Sequence, residues 1–143
     1  MSIARITTRR DFDIVTCSED HTVAQAVELL SERRIGAMPV TDESGRVVGV
    51  FSERDVIRCL KVHGGDALAL KMADVMTSPA VTVSPDTSEN QALALMTRRR
   101  IRHLPVVENG KMVDFVSIGD LVKARIDEIE SEAQALRDYI HSA

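Results

Sequence analysis

The feature that most constrains the fold of this 143-residue chain is an internal repeat. The two copies align first at an offset of 66 residues, and the offset becomes 65 after one residue is lost in a turn. The matched segments are Thr22-x-x-Gln25 with Ser88-x-x-Gln91, Met38-Pro39-Val40 with Leu104-Pro105-Val106, and Ser52-x-x-Asp55 with Ser117-x-x-Asp120. An ordered series with its gap in a turn predicts a duplicated structural unit.

Each copy has the pattern strand, helix, strand, strand, helix. The first strands are expected at Val15-Thr16 and Val81-Thr82, and the first helices begin at the capping boxes of Thr22 and Ser88. Glycine-containing turns follow the next strands, and each second helix begins at Ser-x-x-Asp. Because about sixty residues bury little core, the copies are expected to pack together as one unit.

The predicted boundaries are repeat 1 at 6–61, a linker at 62–74 that contains Gly64-Gly65, repeat 2 at 75–125, and a C-terminal helical extension at 126–143. The extension carries apolar residues in steps of three and four, at Ile126, Ile129, Ala133, Leu136 and Ile140. This seam predicts a helix that either packs back on its own domain or contacts a second chain.

Composition and the spacing of particular residues argue against several classes of function. A net charge of −4 and an aromatic content of 3% argue against nucleic-acid binding, although the Arg98–Arg102 run leaves it as a minor alternative. The sequence shows neither an apolar membrane-spanning run nor a signal-peptide core, so a cytoplasmic protein without membrane contact is expected. The histidines are scattered and the cysteines lack metal-ligand spacing, which predicts neither an enzyme nor a metal site. Cys17 is expected to be a core thiol.

In its repeated segments the chain resembles a tandem CBS-domain pair, or Bateman module. The resemblance is carried above all by Ile35–Val40, Ile101–Val106 and the two Ser-x-x-Asp motifs. The resemblance implies an α/β fold: two pseudo-symmetric β-α-β-β-α CBS repeats packed as one module, with the extended C-terminal helix. It also implies an adenosine ligand such as AMP, with NAD, ATP and S-adenosylmethionine left open, and a homodimer. It does not name a regulated partner protein.

Ser-x-x-Asp at a helix start has two interpretations. It is a capping box, and it also places a carboxylate, suited to a ribose diol, beside amides suited to a phosphate. The resemblance assigns Asp120 to ribose, Ser117 to ribose or phosphate, and Arg102 and His103 to phosphate, with Val15 and Ile35 lining the same cleft. The second cleft would contain these residues: Asp55, Ser52, Val81 and Ile101.

The Asp120 cleft is expected to suit AMP better, because Gly36 and Ala37 stand in the first repeat where Arg102 and His103 stand in the second. His103 has an alternative interpretation as a partly buried strand residue. Asp114, where the first repeat has Gly49, would either repel phosphate or face water. The chain is thus predicted to be a nucleotide sensor; the alternative is a structural dimerisation module with vestigial clefts.

Overall fold

The computed structural model describes residues 1–7 and 14–142. The first repeat and the segment after it contain α1 (Ala4–Thr7), β1 (Cys17–Ser18), α2 (Val23–Arg33), β2 (Ala37–Thr41), β3 (Val47–Ser52), α3 (Glu53–His63), a 3₁₀ helix (Gly64–Ala69) and α4 (Met72–Val75). The second repeat contains α5 (Glu89–Arg99), β4 (His103–Glu108), β5 (Lys111–Ser117) and α6 (Ile118–Ser142). This mixed α/β order confirms the predicted fold class.

The sheets follow the repeat but differ from the predicted first strands. β1 runs parallel to β2, and β2 pairs antiparallel with β3. β4 and β5 form the matching antiparallel pair. The prediction of strands at Val15-Thr16 and Val81-Thr82 was wrong: β1 begins at Cys17, and the second repeat has a single parallel bridge between Val83 and Val106. In this register the preceding residues would reach Pro39 and Pro105, and a proline has no backbone N–H to donate to a longer ladder.

Local chemistry sets the ends of the helices as predicted. The Thr22 and Ser88 side chains accept hydrogen bonds from the Gln25 and Gln91 amides at 3.2 and 3.0 Å, and both glutamines return the bond to the cap backbone. Since a capping box satisfies two otherwise unbonded amides, it stabilises a helix start. Both predicted capping boxes are therefore confirmed.

Among the described residues, most of the buried hydrophobic side chains form two clusters, one in each repeat. Each cluster is completed by the segment that precedes the other repeat: Ile3 is fully buried in the second-repeat cluster, and Met72 is fully buried in the first. Matching backbone bridges join Ser2 to Ser88 and Lys71 to Thr22. This exchange ties the repeats into one module.

The remaining predictions concern Cys17 and the C-terminal helix. Cys17 is fully buried, as expected of a core thiol, and burial raises the pKa of its thiol to about 11. Helix α6 extends for 25 residues, and its seam faces outward: the exposed fractions of Ile126, Ile129, Leu136 and Ile140 lie between 49% and 62%. The alternative in which this seam packs back on its own domain is therefore wrong for these residues.

Candidate functional site

A cavity of about 550 Å³ lies between the repeats, within the range of small-ligand sites. One wall comes from the end of β3 and the first two turns of α3; the other comes from segments 77–81 and 99–103. The predicted residues found in this lining are Ser52, Asp55, Val81, Ile101, Arg102 and His103. The structure thus brings the carboxylate of one repeat together with the basic segment of the other.

Asp55 is 3% exposed and its carboxylate is heavily bonded. Oδ2 accepts hydrogen bonds from the Ser52 amide at 2.9 Å and the Ser52 hydroxyl at 3.2 Å. Oδ1 accepts a hydrogen bond from the Thr77 hydroxyl at 3.0 Å and forms a salt bridge with Arg58. The capping interpretation is therefore confirmed for Asp55. Asp55 also lines the cavity, so the capping role does not exclude ligand binding.

The sequence interpretation missed two partners of Asp55, Arg58 and Thr77. Arg58 follows Asp55 by three positions on α3, a spacing at which helix side chains meet, so this signal was present in the sequence. Thr77 is 22 positions away and reaches the site because its segment pairs with β3 through Val50. Nothing local in the sequence indicates that contact.

Arginine side chains join the two walls of the cavity. Arg54 Nη1 donates a hydrogen bond to the Arg100 carbonyl at 3.0 Å, across the boundary between the repeats. Arg100 caps α5 in the left-handed conformation, with φ of 55°. Because a guanidinium is always charged and presents several donors in a planar fork, this rim suits phosphate oxygens.

His103 is a partly buried strand residue, as its alternative interpretation proposed. Its ring stacks on Phe115 with centroids 5.4 Å apart and planes 14° from parallel. Burial lowers the pKa of His103 and Arg102 lowers it further, although Asp120 and Glu53 act in the opposite direction. The imidazole is therefore mostly neutral near pH 7 and offers the cavity a hydrogen-bonding group rather than a positive charge.

The second Ser-x-x-Asp is also a capping box. Asp120 Oδ2 accepts a hydrogen bond from the Ser117 amide at 2.7 Å, and the Asp120 amide donates to Ser117 Oγ at 3.1 Å. Asp120 is half-buried, and neither residue is among the described residues that line the cavity. Ser117 pairs with His103 across the sheet, so the basic segment lies between the two motifs. A ligand role for Asp120 stays a prediction.

The other predicted positions are partly or fully buried. Val15 and Ile35 pack against the first-repeat cluster, as core residues do. Asp114 is 3% exposed and its Oδ1 accepts a hydrogen bond from the Phe115 amide, so the expectation that it faces water was wrong. At the equivalent Gly49, the space above the strand is filled by Met76 and Thr77, which leaves no room for a side chain there.

The sequence model of the CBS domain matches residues 3–62 and 72–127. With a duplicated α/β unit and a cleft between its copies, the chain belongs to the CBS-domain family and carries two CBS domains in tandem. Residues 128–142 of α6 extend beyond the matched regions.

Named relatives agree with this assignment. The mitochondrial CBS domain-containing protein CBSX3 of Arabidopsis thaliana is 38% identical over 87% of this chain, which spans only 62% of that protein. The crystal structure of a CBS-domain containing protein from Agrobacterium tumefaciens superposes with a TM-score of 0.81 at 35% identity, covering 87% of this chain and 92% of that one. CBSX2 in complex with AMP has a TM-score of 0.76 at 26% identity, covering 88% and 96%.

The Arabidopsis comparison does not extend to the whole protein, since this chain spans less than two thirds of it. A match to an inosine-5'-monophosphate dehydrogenase of Methanocaldococcus jannaschii likewise covers only 22% of that enzyme. Over the described part of the chain, every helix is too short or too polar to span a bilayer.

Proposed function

We propose that this chain is a regulatory sensor that binds an adenine nucleotide between its CBS repeats and signals to a partner protein by a change in conformation or oligomeric state. One observation carries the proposal: a single cavity combines the Asp55 carboxylate at a helix start with arginines from both repeats. A ribose diol suits the former and a phosphate the latter. The AMP complex of CBSX2 supports the same ligand class.

The proposal gives each predicted residue a task. Asp55 accepts hydrogen bonds from the ribose, Ser52 helps to hold it, and Arg102 faces the phosphate. His103, Val81 and Ile101 provide the less polar surface for the base. Binding then stabilises contacts between the repeats, and we propose no catalytic step, so the ligand is sensed rather than converted. Asp120, Ser117, Val15 and Ile35 belong to a second cleft that stays a prediction.

Titration calorimetry with AMP, GMP and CMP tests this function. Asp55→Asn keeps the size of the side chain and removes the charge, so AMP affinity should fall about ten- to a hundredfold, the loss expected for one charge-assisted hydrogen bond. Asp120→Asn is the matched control, since it alters the equivalent cap outside this cavity. Because Arg102 and His103 line the Asp55 cavity, Asp120→Asn should reduce AMP affinity less than Asp55→Asn does.

The result that contradicts the sensor is a melting temperature that no nucleotide changes. A bound adenine nucleotide at a hundredfold excess over Kd should stabilise the fold by about 2.7 kcal/mol. A flat response would favour the structural dimerisation module with vestigial clefts. A larger loss of AMP affinity from Asp120→Asn than from Asp55→Asn would place the site in the other cleft.

We also propose that a second copy of the chain covers the exposed seam of α6. The support is the outward-facing row of Ile129, Leu136 and Ile140 on a helix that continues past the CBS repeats. Sedimentation should show a homodimer at tens of micromolar, weakened by Ile129→Lys. Ser131→Lys, on the opposite helix face, should leave it unchanged, and a monomeric wild type would contradict the proposal. The cytoplasm stays the predicted compartment.

A further inference from the structure

The cavity between the repeats has a charge opposite to that of the whole chain. Among the described residues, its lining includes the following arginines: Arg54, Arg58, Arg99, Arg100 and Arg102. Two carboxylates, Glu53 and Asp55, face the same space. The lining therefore carries a formal excess of three positive charges, in a chain whose net charge is −4.

The cations come from both walls of the cavity. Arg54 and Arg58 lie on the first two turns of α3, while Arg99, Arg100 and Arg102 surround the junction between α5 and β4. Arg58 is bonded to Asp55 and Thr77, and Arg54 to the Arg100 carbonyl. The α3 arginines are thus held in place before a ligand arrives, which lowers the entropic cost of a contact.

A nucleoside monophosphate does not use this charge fully. A terminal phosphate carries roughly −1.5 to −2 near neutral pH, and each further phosphoryl group in a chain adds about one more negative charge. Asp55 is already paired with Arg58, and the ribose is neutral, so ribose binding leaves the excess of positive charge in the cavity almost unchanged. A cationic adenosine compound, such as one with a sulfonium group, would meet repulsion from the same arginines.

We propose that the physiological ligand of this cavity is an adenine nucleotide with a terminal polyphosphate chain, bound more tightly than AMP. This inference rests on the proposed function, because it refines the ligand of the same site. The arginines of the α5–β4 junction, Arg99, Arg100 and Arg102, set the preference for the number of phosphates. They are exposed, so their contribution is screened by salt.

Calorimetry on the wild-type chain with adenosine, AMP, ADP and ATP, in EDTA at low and high salt, tests the inference. Affinity should rise up to about fivefold with each phosphate added beyond AMP, the upper end of the range for an ion pair at an exposed site. The ratio between ATP and AMP should shrink at high salt. Equal affinities for AMP and ATP would overturn the inference and leave the proposed sensor intact, whereas no binding of any nucleotide would remove both.

A double variant tests whether the arginines of the α5–β4 junction cause the preference for a polyphosphate chain. Arg99→Gln combined with Arg102→Gln should reduce the ATP-to-AMP affinity ratio about tenfold or more, while AMP binding falls less. Arg137→Gln removes a charge near the far end of α6 and should leave the ratio unchanged. If the double variant fails to fold, the wild-type series at two salt concentrations still decides. Single-stranded RNA that displaces ATP and binds more tightly than any nucleotide would also overturn the inference.

Discussion

Gly49 is the position where a single methyl group would test the link between packing and the ligand cavity. It lies in β3, against the segment Met76-Thr77 at the start of the second repeat. That segment is fixed to β3 by two backbone hydrogen bonds between Val50 and Thr77, of 3.0 and 2.9 Å. A Cβ on Gly49 would lie 2.8 Å from the Thr77 carbonyl oxygen and 2.6 Å from Met76 Sδ. The flexible Met76 side chain can move away, but the Thr77 backbone cannot move without loss of the pairing.

The expected cost of Gly49→Ala follows from these contacts. Overpacking at a close-packed site costs about 1–3 kcal/mol, and the weakening of a backbone hydrogen bond adds roughly 0.5–1.5 kcal/mol. The free energy of unfolding should therefore fall by about 2–3 kcal/mol in a urea titration. Since Thr77 also donates to Asp55, AMP affinity should fall with it.

Gly65→Ala is the matched control, because no atom lies within 4 Å of a Cβ built there. Its free energy of unfolding should stay within about 0.5 kcal/mol of wild type. If Gly49→Ala proves as stable as Gly65→Ala, the Thr77 segment is not held against β3 as the structure indicates, and the explanation of the Thr77–Asp55 contact fails with it.

Three further predictions concern stability. Burial lowers the pKa of His103, so the neutral ring adds to the free energy of unfolding above the ordinary value of 6.5, and this stability is lost as pH falls below it. In urea titrations from pH 7 to 5, His103→Gln should reduce this loss of stability, whereas His141→Gln, at an exposed position, should not. Burial raises the pKa of Glu89, and the nearby Glu128 raises it further. Glu89→Gln should therefore raise the free energy of unfolding by about 1 kcal/mol at pH 7.5, and this gain should disappear as pH falls through the raised pKa. A difference between variant and wild type that does not change with pH would contradict the assignment. Met72→Ala should cost about 2–5 kcal/mol by thermal unfolding, because the side chain is fully buried in the first-repeat cluster, and a loss under 1 kcal/mol would show that the segment is not part of that core.

Patterns within short stretches predicted much of the architecture. The capping boxes at Thr22 and Ser88 identified helix starts because their hydrogen bonds join residues three positions apart. The predicted glycine-containing turns are present between β2 and β3 and between β4 and β5, where Gly45 and Gly110 have positive φ. The repeat itself predicted two similar units, since duplicated sequence folds by the same local rules.

What depended on long-range contacts could not be predicted from those patterns. The family resemblance predicted that Arg102 and His103 lie in the cleft of Asp120, which belongs to the same repeat. In the structure the two repeats pack so that both residues line the Asp55 cavity. Thr77 reaches Asp55 only because its segment pairs with β3.

The sequence by itself determined the duplication, the helix caps and the presence of two Ser-x-x-Asp carboxylates, because each depends on residues close together in the chain. Tertiary structure alone decided which carboxylate faces the arginine-lined cavity, and it alone brought Thr77 to that carboxylate. The physical reason is that the cavity forms between surfaces from separate repeats, and their relative placement depends on packing across both repeats, including the exchanged Ile3 and Met72.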